Sequence, residues 1–182
     1  MSRAPKLLPV ATVLVAAIAF PAAASASVTP GTYTPTSGSF NPANAPGSSF
    51  LKSGSPSCTV NANRSISCSS YVLGGVGHTN ANLNLTASYS ATIDCTNHGG
   101  QLVESHTSNF SASTSATATP SKNGHLSVQG ASVSPFSAPQ VCPNPNWTPS
   151  IRGGTVTLDS FTYTLTFAGF SSPYITISAT DP

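Results

Sequence analysis

The chain has 182 residues, of which only 5% are Asp, Glu, Lys or Arg, against about 25% in a typical soluble domain. Its six Lys and Arg residues are too few for the basic surface that a nucleic-acid-binding protein needs. The same scarcity of charge excludes helical bundles and charge-driven disordered chains, so we expect one folded domain with or without tails.

Residues 1–26 have the pattern of a secretory signal peptide. Arg3 and Lys6 precede an apolar run over residues 7–20, and small residues lead to an expected cleavage after Ala26. The apolar run is shorter than the ~20 residues that cross a bilayer. We therefore expect an extracellular, secreted protein without a membrane span after signal removal. Since Arg3 and Lys6 account for the whole formal charge of +2, the mature chain would be neutral.

Residues 27–55 form a lead-in that is rich in Ser, Thr, Pro and Gly. Within it, residues 31–34 are expected to add at most an edge strand, because Pro30 and Pro35 argue against a central one. Residues 56–182 are expected to form one β-domain.

The clearest strand signal runs from Leu83 to Cys95, where every second residue is apolar and the residues between are polar. This alternation is typical of a strand with one face on a core and one in water. A turn is expected at residues 97–100, and Asn123-Gly124 predicts another.

A change of parity predicts an irregularity in a later strand. Val156 and Leu158 occupy even positions, whereas the apolar residues from Phe161 to Phe167 occupy odd positions. Such a change indicates a β-bulge, or a bend between sheets, at Asp159-Ser160.

All four cysteines lie beyond the lead-in and predict two disulfides. Three connectivities are open, and the spacing favours one. Cys58 and Cys68 are symmetric about Asn63, so a hairpin turning there would place them opposite each other. This leaves Cys95 for Cys142. A zinc site is the alternative, but the close Cys pairs typical of one are absent.

About seven or eight short strands and no helix are expected. We therefore predict an all-β protein, an antiparallel immunoglobulin-like β-sandwich with two disulfides. Trp147 follows the last Cys instead of lying between two, so the immunoglobulin spacing signature itself is missing.

Several segments together resemble a group of secreted actinobacterial proteins whose function is unknown. They comprise the Cys58–Cys68 pair and residues 73–77, 94–100 and 142–148. The resemblance implies a small secreted β-sandwich. It implies no activity.

The sequence offers little for catalysis, and we expect neither an enzyme nor a cofactor. A Gly-x-Ser-x-Gly nucleophile motif is absent. Glycoside hydrolysis needs two carboxylates flanking a cleft, and carboxylates are scarce here. Glu104 and His106 share one strand face and, with His98, are weak candidates for a metal site. The favoured interpretation of these histidines is that they are solvated.

Aromatic side chains are the candidates for ligand contact, since sugar rings stack on flat side chains. Trp147, in a Pro-rich loop, and Tyr71 are the two selected. Trp147 has an alternative role, packing on the Cys142 disulfide. Tyr89 and Tyr163 lie on the apolar parity of their strands and are expected in the core.

The function predicted from these features is that of a secreted, non-enzymatic protein acting through its surface, in an envelope-associated, adhesive or structural role. One alternative is a carbohydrate-binding module that uses loops near Trp147. Another is a small secreted inhibitor or a hydrolase of unrecognised type. The expected partners are cell-surface glycans or a second copy, because Ser/Thr-rich strands with few charges leave sheet edges open to pairing.

Overall fold

The computed structural model describes residues 27–36 and 39–180. The expected signal peptide, residues 1–26, lies outside them. The described chain is all-β with antiparallel pairing, apart from two short 3-10 helices at Pro42–Asn44 and Pro135–Ser137. The all-β antiparallel class is thus confirmed. No described helix is both apolar enough and long enough for a bilayer crossing.

The described residues form more strands than the expected seven or eight. Their bounds are β1 Gly31–Tyr33, β2 Phe50–Gly54, β3 Cys58–Val60, β4 Ile66–Cys68, β5 Tyr71–Gly74, β6 Ala81–Thr96, β7 Leu102–Ala118, β8 Leu126–Val128, β9 Ala131–Val133, β10 Thr148–Ile151, β11 Thr157–Phe167 and β12 Ile175–Thr180. The expected number is too low because short interruptions separate β4 from β5 and β8 from β9, and because β2 and β10 lie in segments without clear alternation.

One sheet contains the longest strands, in the order β7-β6-β11-β12, with β10 beside the far end of β6. Strand β6 is the predicted alternating run, and its odd-numbered side chains are buried. Strands β6 and β7 make a hairpin whose turn closes with a hydrogen bond from the Asn97 amide to the Gln101 carbonyl. The predicted turn at residues 97–100 is confirmed.

The other two sheets, β1-β3-β4-β9 and β2-β5-β8, share one pairing register. Ile66 pairs with Val133 in the first, and Leu73 pairs with Leu126 in the second. Both pairs fit a single hairpin that is interrupted at its middle. Gly130 lies at the interruption, where a Cβ atom would come within 2.8 Å of the Cys68 carbonyl oxygen, so a larger residue would force the strands apart.

The described part of the lead-in pairs with these sheets. Strand β1 is an edge strand that pairs only with β3, as predicted. Strand β2 pairs with β5. The Tyr33 ring also packs edge-on against Phe161, with ring centroids 5.3 Å apart. The division into a lead-in and a domain from residue 56 stays a prediction.

Both predicted disulfides are present, Cys58–Cys68 and Cys95–Cys142. Cys58 and Cys68 are direct cross-strand partners of the hairpin formed by β3 and β4. The predicted bulge is also confirmed, because the register of β11 against β6 shifts between Leu158 and Ser160. The shift lets apolar side chains on both sides of it face the core.

The buried side chains of all three sheets meet in one hydrophobic cluster. Tyr71 of β5 and Tyr163 of β11 lie in it, and so does Tyr89, which confirms the core assignment of Tyr89 and Tyr163. A second, smaller cluster holds Ala91, Ile93 and Cys95. It packs near the Cys95–Cys142 bridge.

Candidate functional site

The outer side of the long sheet carries an ordered array of small polar side chains. Strand pairing aligns them in three successive rows of four, across β7, β6, β11 and β12 in that order. The rows are Ser111, Ser88, Ser160, Thr180; then Ser113, Thr86, Thr162, Ser178; then Ser115, Asn84, Thr164, Thr176. We call these twelve residues the hydroxyl face, because all except Asn84 carry a hydroxyl group.

The spacing of the hydroxyl face follows from sheet geometry. Neighbouring strands lie about 4.8 Å apart, and side chains two residues apart along a strand are separated by roughly 6.7 Å. Polar groups therefore recur at regular intervals in two directions. None of the twelve residues is charged, whereas a typical protein has about one charged residue in four.

The side chains of the hydroxyl face have no hydrogen-bond partner among residues 27–36 and 39–180. This distinguishes them from the next row, where Thr117 donates a hydrogen bond to Asn82 over 2.8 Å. A hydroxyl group can donate one hydrogen bond and accept two. The face thus presents its full donor and acceptor capacity to whatever lies outside it.

Charged groups lie beyond one end of the hydroxyl face. The Arg152 guanidinium donates to both carboxylate oxygens of Asp94, over 2.6 Å and 3.1 Å, and Ser105 donates to Asp94 over 2.7 Å. The hydrogen bonds from Arg152 and Ser105 hold the pKa of Asp94 below its usual range. A carboxylate held ionised in this way cannot act as a general acid near neutral pH.

Asp159, at the bulge of β11, accepts hydrogen bonds from Ser90 over 3.0 Å and Thr157 over 3.2 Å. The contact with Ser90 ties Asp159 to the neighbouring strand β6, and the contact with Thr157 lies within β11. The structure therefore engages both Asp94 and Asp159 in local hydrogen bonds.

The structure brings Glu104 and His106 together, as their shared parity predicts. The His106 Nδ1 atom lies 3.6 Å from Glu104 Oε1. His98 lies exposed in the turn between β6 and β7. In the described segments, no three His, Cys, Asp or Glu side chains are grouped closely enough to hold a metal ion.

Trp147 is half-buried and packs on the smaller hydrophobic cluster, beside Cys142 and Cys95. It also lines a cavity with Gln140, Val141, Cys142, Asn144, Pro145 and Pro149. Its contact with the cluster agrees with the expected packing role, and its role in ligand contact stays a prediction.

Tyr71 is buried, whereas the ligand contact expected of it would require an exposed side chain. Its side chain is only 3% exposed, and its hydroxyl group hydrogen-bonds the Tyr163 hydroxyl. Tyr71 is therefore a core residue. Its four-residue strand is too short for sequence alternation to show which way the ring points.

The structure thus offers two candidate binding surfaces, the hydroxyl face and the cavity beside Trp147. No family model matches the chain, and neither the curated proteins nor the solved structures include a significant match.

Sequence reasoning did not single out the hydroxyl face, although it did identify the polar parity of β6. The missing information was the register, which decides that Thr86 lies between Ser113 and Thr162. A cross-strand row has no signature along the chain, because its members come from distant segments.

Proposed function

We propose that the protein is a secreted, non-enzymatic module that acts through its surface, attached to the cell envelope by adhesion to a neutral, hydroxyl-rich polymer such as a polysaccharide. The observation that carries this proposal is the hydroxyl face, with three rows of uncharged side chains whose hydrogen-bonding groups are free within the described chain. Two disulfides are consistent with an oxidising, extracellular setting.

The chemistry of the face suits such a polymer. Serine and threonine hydroxyls both donate and accept hydrogen bonds, and so do the hydroxyls of a sugar chain. Replacing one hydrogen bond to water by one to the polymer adds little binding free energy, because a typical hydrogen bond contributes only about 0.5–1.5 kcal/mol net. Useful affinity therefore needs many contacts made together, and a periodic face of twelve side chains on a repeating polymer supplies them.

We also propose that the three sheets form two layers of an immunoglobulin-like β-sandwich, related to the actinobacterial proteins that the sequence resembles. The shared hydrophobic cluster and the single register of the two smaller sheets support two packed layers. In this arrangement the hydroxyl face is the solvent side of one layer. A rigid layer holds its side chains at fixed spacing, which favours recognition of a regular surface.

The proposed absence of catalysis is supported by the environment of two carboxylates. Asp94 is neutralised by Arg152, and Asp159 is held by Ser90 and Thr157. A small inhibitor or a hydrolase of unrecognised type remains the third class of function. Turnover in a screen of ester, peptide and glycoside substrates would favour the hydrolase over the surface-acting protein.

The main alternative is sugar binding beside Trp147. The specific observation behind it is the cavity of about 240 Å³ that this indole borders. An aromatic ring in such a position can stack on a sugar ring. This alternative places the binding site beside Trp147 and the leading proposal places it on the hydroxyl face, so substitutions at the two sites distinguish them.

The test is co-sedimentation with insoluble polysaccharides. Thr86→Val combined with Thr162→Val removes two adjacent hydroxyls from the centre of the face while keeping β-branched side chains. We expect this variant to lose retention and Trp147→Ala to keep it. Thr59→Val, on β3 of another sheet, is the matched control and should bind as the parent does. Retention that depends on Trp147 instead would favour the alternative, and no retention on any polymer would overturn both.

A further inference from the structure

Strand β7 is a long edge strand of its sheet, and β8, β9 and the 3-10 helix Pro135–Ser137 lie near it without pairing with it. Strand β7 pairs with β6 along its whole length and with no other strand among the described residues. About half of the N–H and C=O groups of such a strand point away from its one neighbour. The backbone hydrogen bonds between other segments of the described chain do not involve these groups. Strand β7 therefore presents a ready template for another strand.

The other sheet edges are protected. Ser39 accepts a hydrogen bond from the Thr176 amide, and Phe40 forms a bridge with Ile175, so a neighbouring segment covers part of β12. Strands β1, β8 and β9 have only three residues each, and β10 contains Pro149. Strand β2 carries Lys52 and a register shift. These are the devices by which natural sheets prevent edge pairing.

Strand β7 lacks these devices. It contains no Pro, Lys or Arg. From Glu104 to Ala118 it pairs with β6 without a register shift, so no bulge turns it away. Its ionisable residues, Glu104 and His106, lie near one end, and residues 107–118 are uncharged. Two copies of this segment meet without charge repulsion.

We propose that a second copy of this chain pairs antiparallel with β7, through a two-fold axis near Phe110, to form a homodimer. Antiparallel pairing about this axis places even-numbered residues of both copies on one side. The partly buried apolar side of β7, with Phe110 and Ala112, then continues into the partner. A groove of mixed polarity, lined among others by Ala116, Thr117 and Val128, lies between the end of β7 and β8.

Dimerisation by this edge would join the hydroxyl faces of the two copies. Ser111, Ser113 and Ser115 form the β7 margin of each face, so the paired sheets present one face across eight strands. The dimer goes beyond the proposed function and is independent of what the face binds. A failure of polymer binding would therefore not count against the dimer.

The test is sedimentation velocity of the protein over a wide concentration range. Asn109→Lys combined with Ser111→Lys places like charges opposite each other across the two-fold axis, which disfavours pairing. We expect at least a tenfold weaker dimer. Thr162→Lys combined with Thr164→Lys, on the interior strand β11, is the matched control and should dimerise as the parent does. A parent protein that stays monomeric at every concentration overturns the proposal, and so does equal weakening by the control.

Hydrogen exchange supplies a second measurement that needs no variant. We expect amide protection in β7 to rise with protein concentration, while protection in β12 stays constant. Concentration-dependent protection of β12, or of neither strand, would contradict pairing through β7.

Discussion

The hydroxyl oxygens of Tyr71 and Tyr163 lie 2.9 Å apart and are buried between strands of two different sheets. Each is the other's hydrogen-bond partner. Burial raises the pKa of Tyr71 far above its ordinary value and raises the pKa of Tyr163 to about 12, so both hydroxyls remain neutral at physiological pH. This pair links the long sheet to the sheet of β2, β5 and β8.

Removing one hydroxyl of this pair should destabilise the protein. Tyr71→Phe leaves the Tyr163 hydroxyl buried without a partner, and we expect a loss of about 1–3 kcal/mol in the free energy of unfolding. The double variant with Tyr163→Phe should lose less than the sum of the two single losses. Denaturant unfolding measures all three. Strict additivity would show that the hydroxyls do not interact.

Tyr89→Phe is the matched control, because the Tyr89 hydroxyl is buried without a hydrogen-bond partner in the described chain. Removing an unpaired buried hydroxyl should leave stability unchanged or raise it. A loss comparable to that of Tyr71→Phe would mean that the Tyr89 hydroxyl has a partner.

Alkaline pH should weaken the fold through the same tyrosines. Burial raises the pKa of Tyr89 to about 12, against about 10 in an unfolded chain. The unfolded state therefore loses its proton first, so the stabilisation is complete below pH ~10 and is lost as pH rises towards ~12. Each such tyrosine contributes a slope of about 1.4 kcal/mol per pH unit in this window.

Tyr89→Phe tests whether Tyr89 contributes to this alkaline loss of stability, because the variant lacks one titrating group. Its stability should fall less steeply than that of the parent between pH 10 and 12 in rapid unfolding measurements. Parallel curves would show that Tyr89 does not contribute to the alkaline loss.

Gly75 should tolerate no side chain, because a Cβ atom there would overlap the Ser48 carbonyl oxygen. Its φ of 71° also lies in the left-handed region, which costs other residues about 1–2 kcal/mol. Gly77 has a φ of 61° but open space around it. We expect Gly77→Ala to show only the backbone cost. Gly75→Ala should be ~2 kcal/mol worse because of added strain. Equal losses in thermal unfolding would contradict the overlap.

Removing the two disulfides should differ in the loss of stability and in the effect on the environment of Trp147. The chain-entropy account gives a loss of about 3 kcal/mol for removing Cys58–Cys68 and about 4 kcal/mol for Cys95–Cys142, which closes a longer loop. Trp147, the one tryptophan in the sequence, packs beside Cys95 and Cys142. Replacing this pair by Ser should therefore red-shift the tryptophan emission, whereas replacing Cys58 and Cys68 should not. A shift in both variants, or in neither, would contradict the packing.

The parts of the fold that could be predicted from sequence are those indicated by a pattern within one short segment. Strand β6 could be predicted because thirteen consecutive residues from Leu83 to Cys95 alternate without a break. The Cys58–Cys68 hairpin was predictable from symmetry about Asn63. In both cases one short segment carries all the information that its structure needs.

The parts that could not be predicted depend on contacts between distant segments. Tyr71 and Tyr163 are 92 residues apart in sequence, and nothing near either one indicates the other. The division into β8 and β9 at Gly130 was also not predicted, because the two strands pair with different sheets in one continuous register. The hydroxyl face was missed because its rows likewise depend on pairing between distant segments.

The most direct test of the proposed function is a binding isotherm on the insoluble polysaccharide that retains the parent protein best. We predict that Thr86→Val combined with Thr162→Val weakens binding at least tenfold while the unfolding midpoint stays near that of the parent, and that Thr59→Val leaves the affinity unchanged. Undiminished binding by the double variant would contradict adhesion through the hydroxyl face.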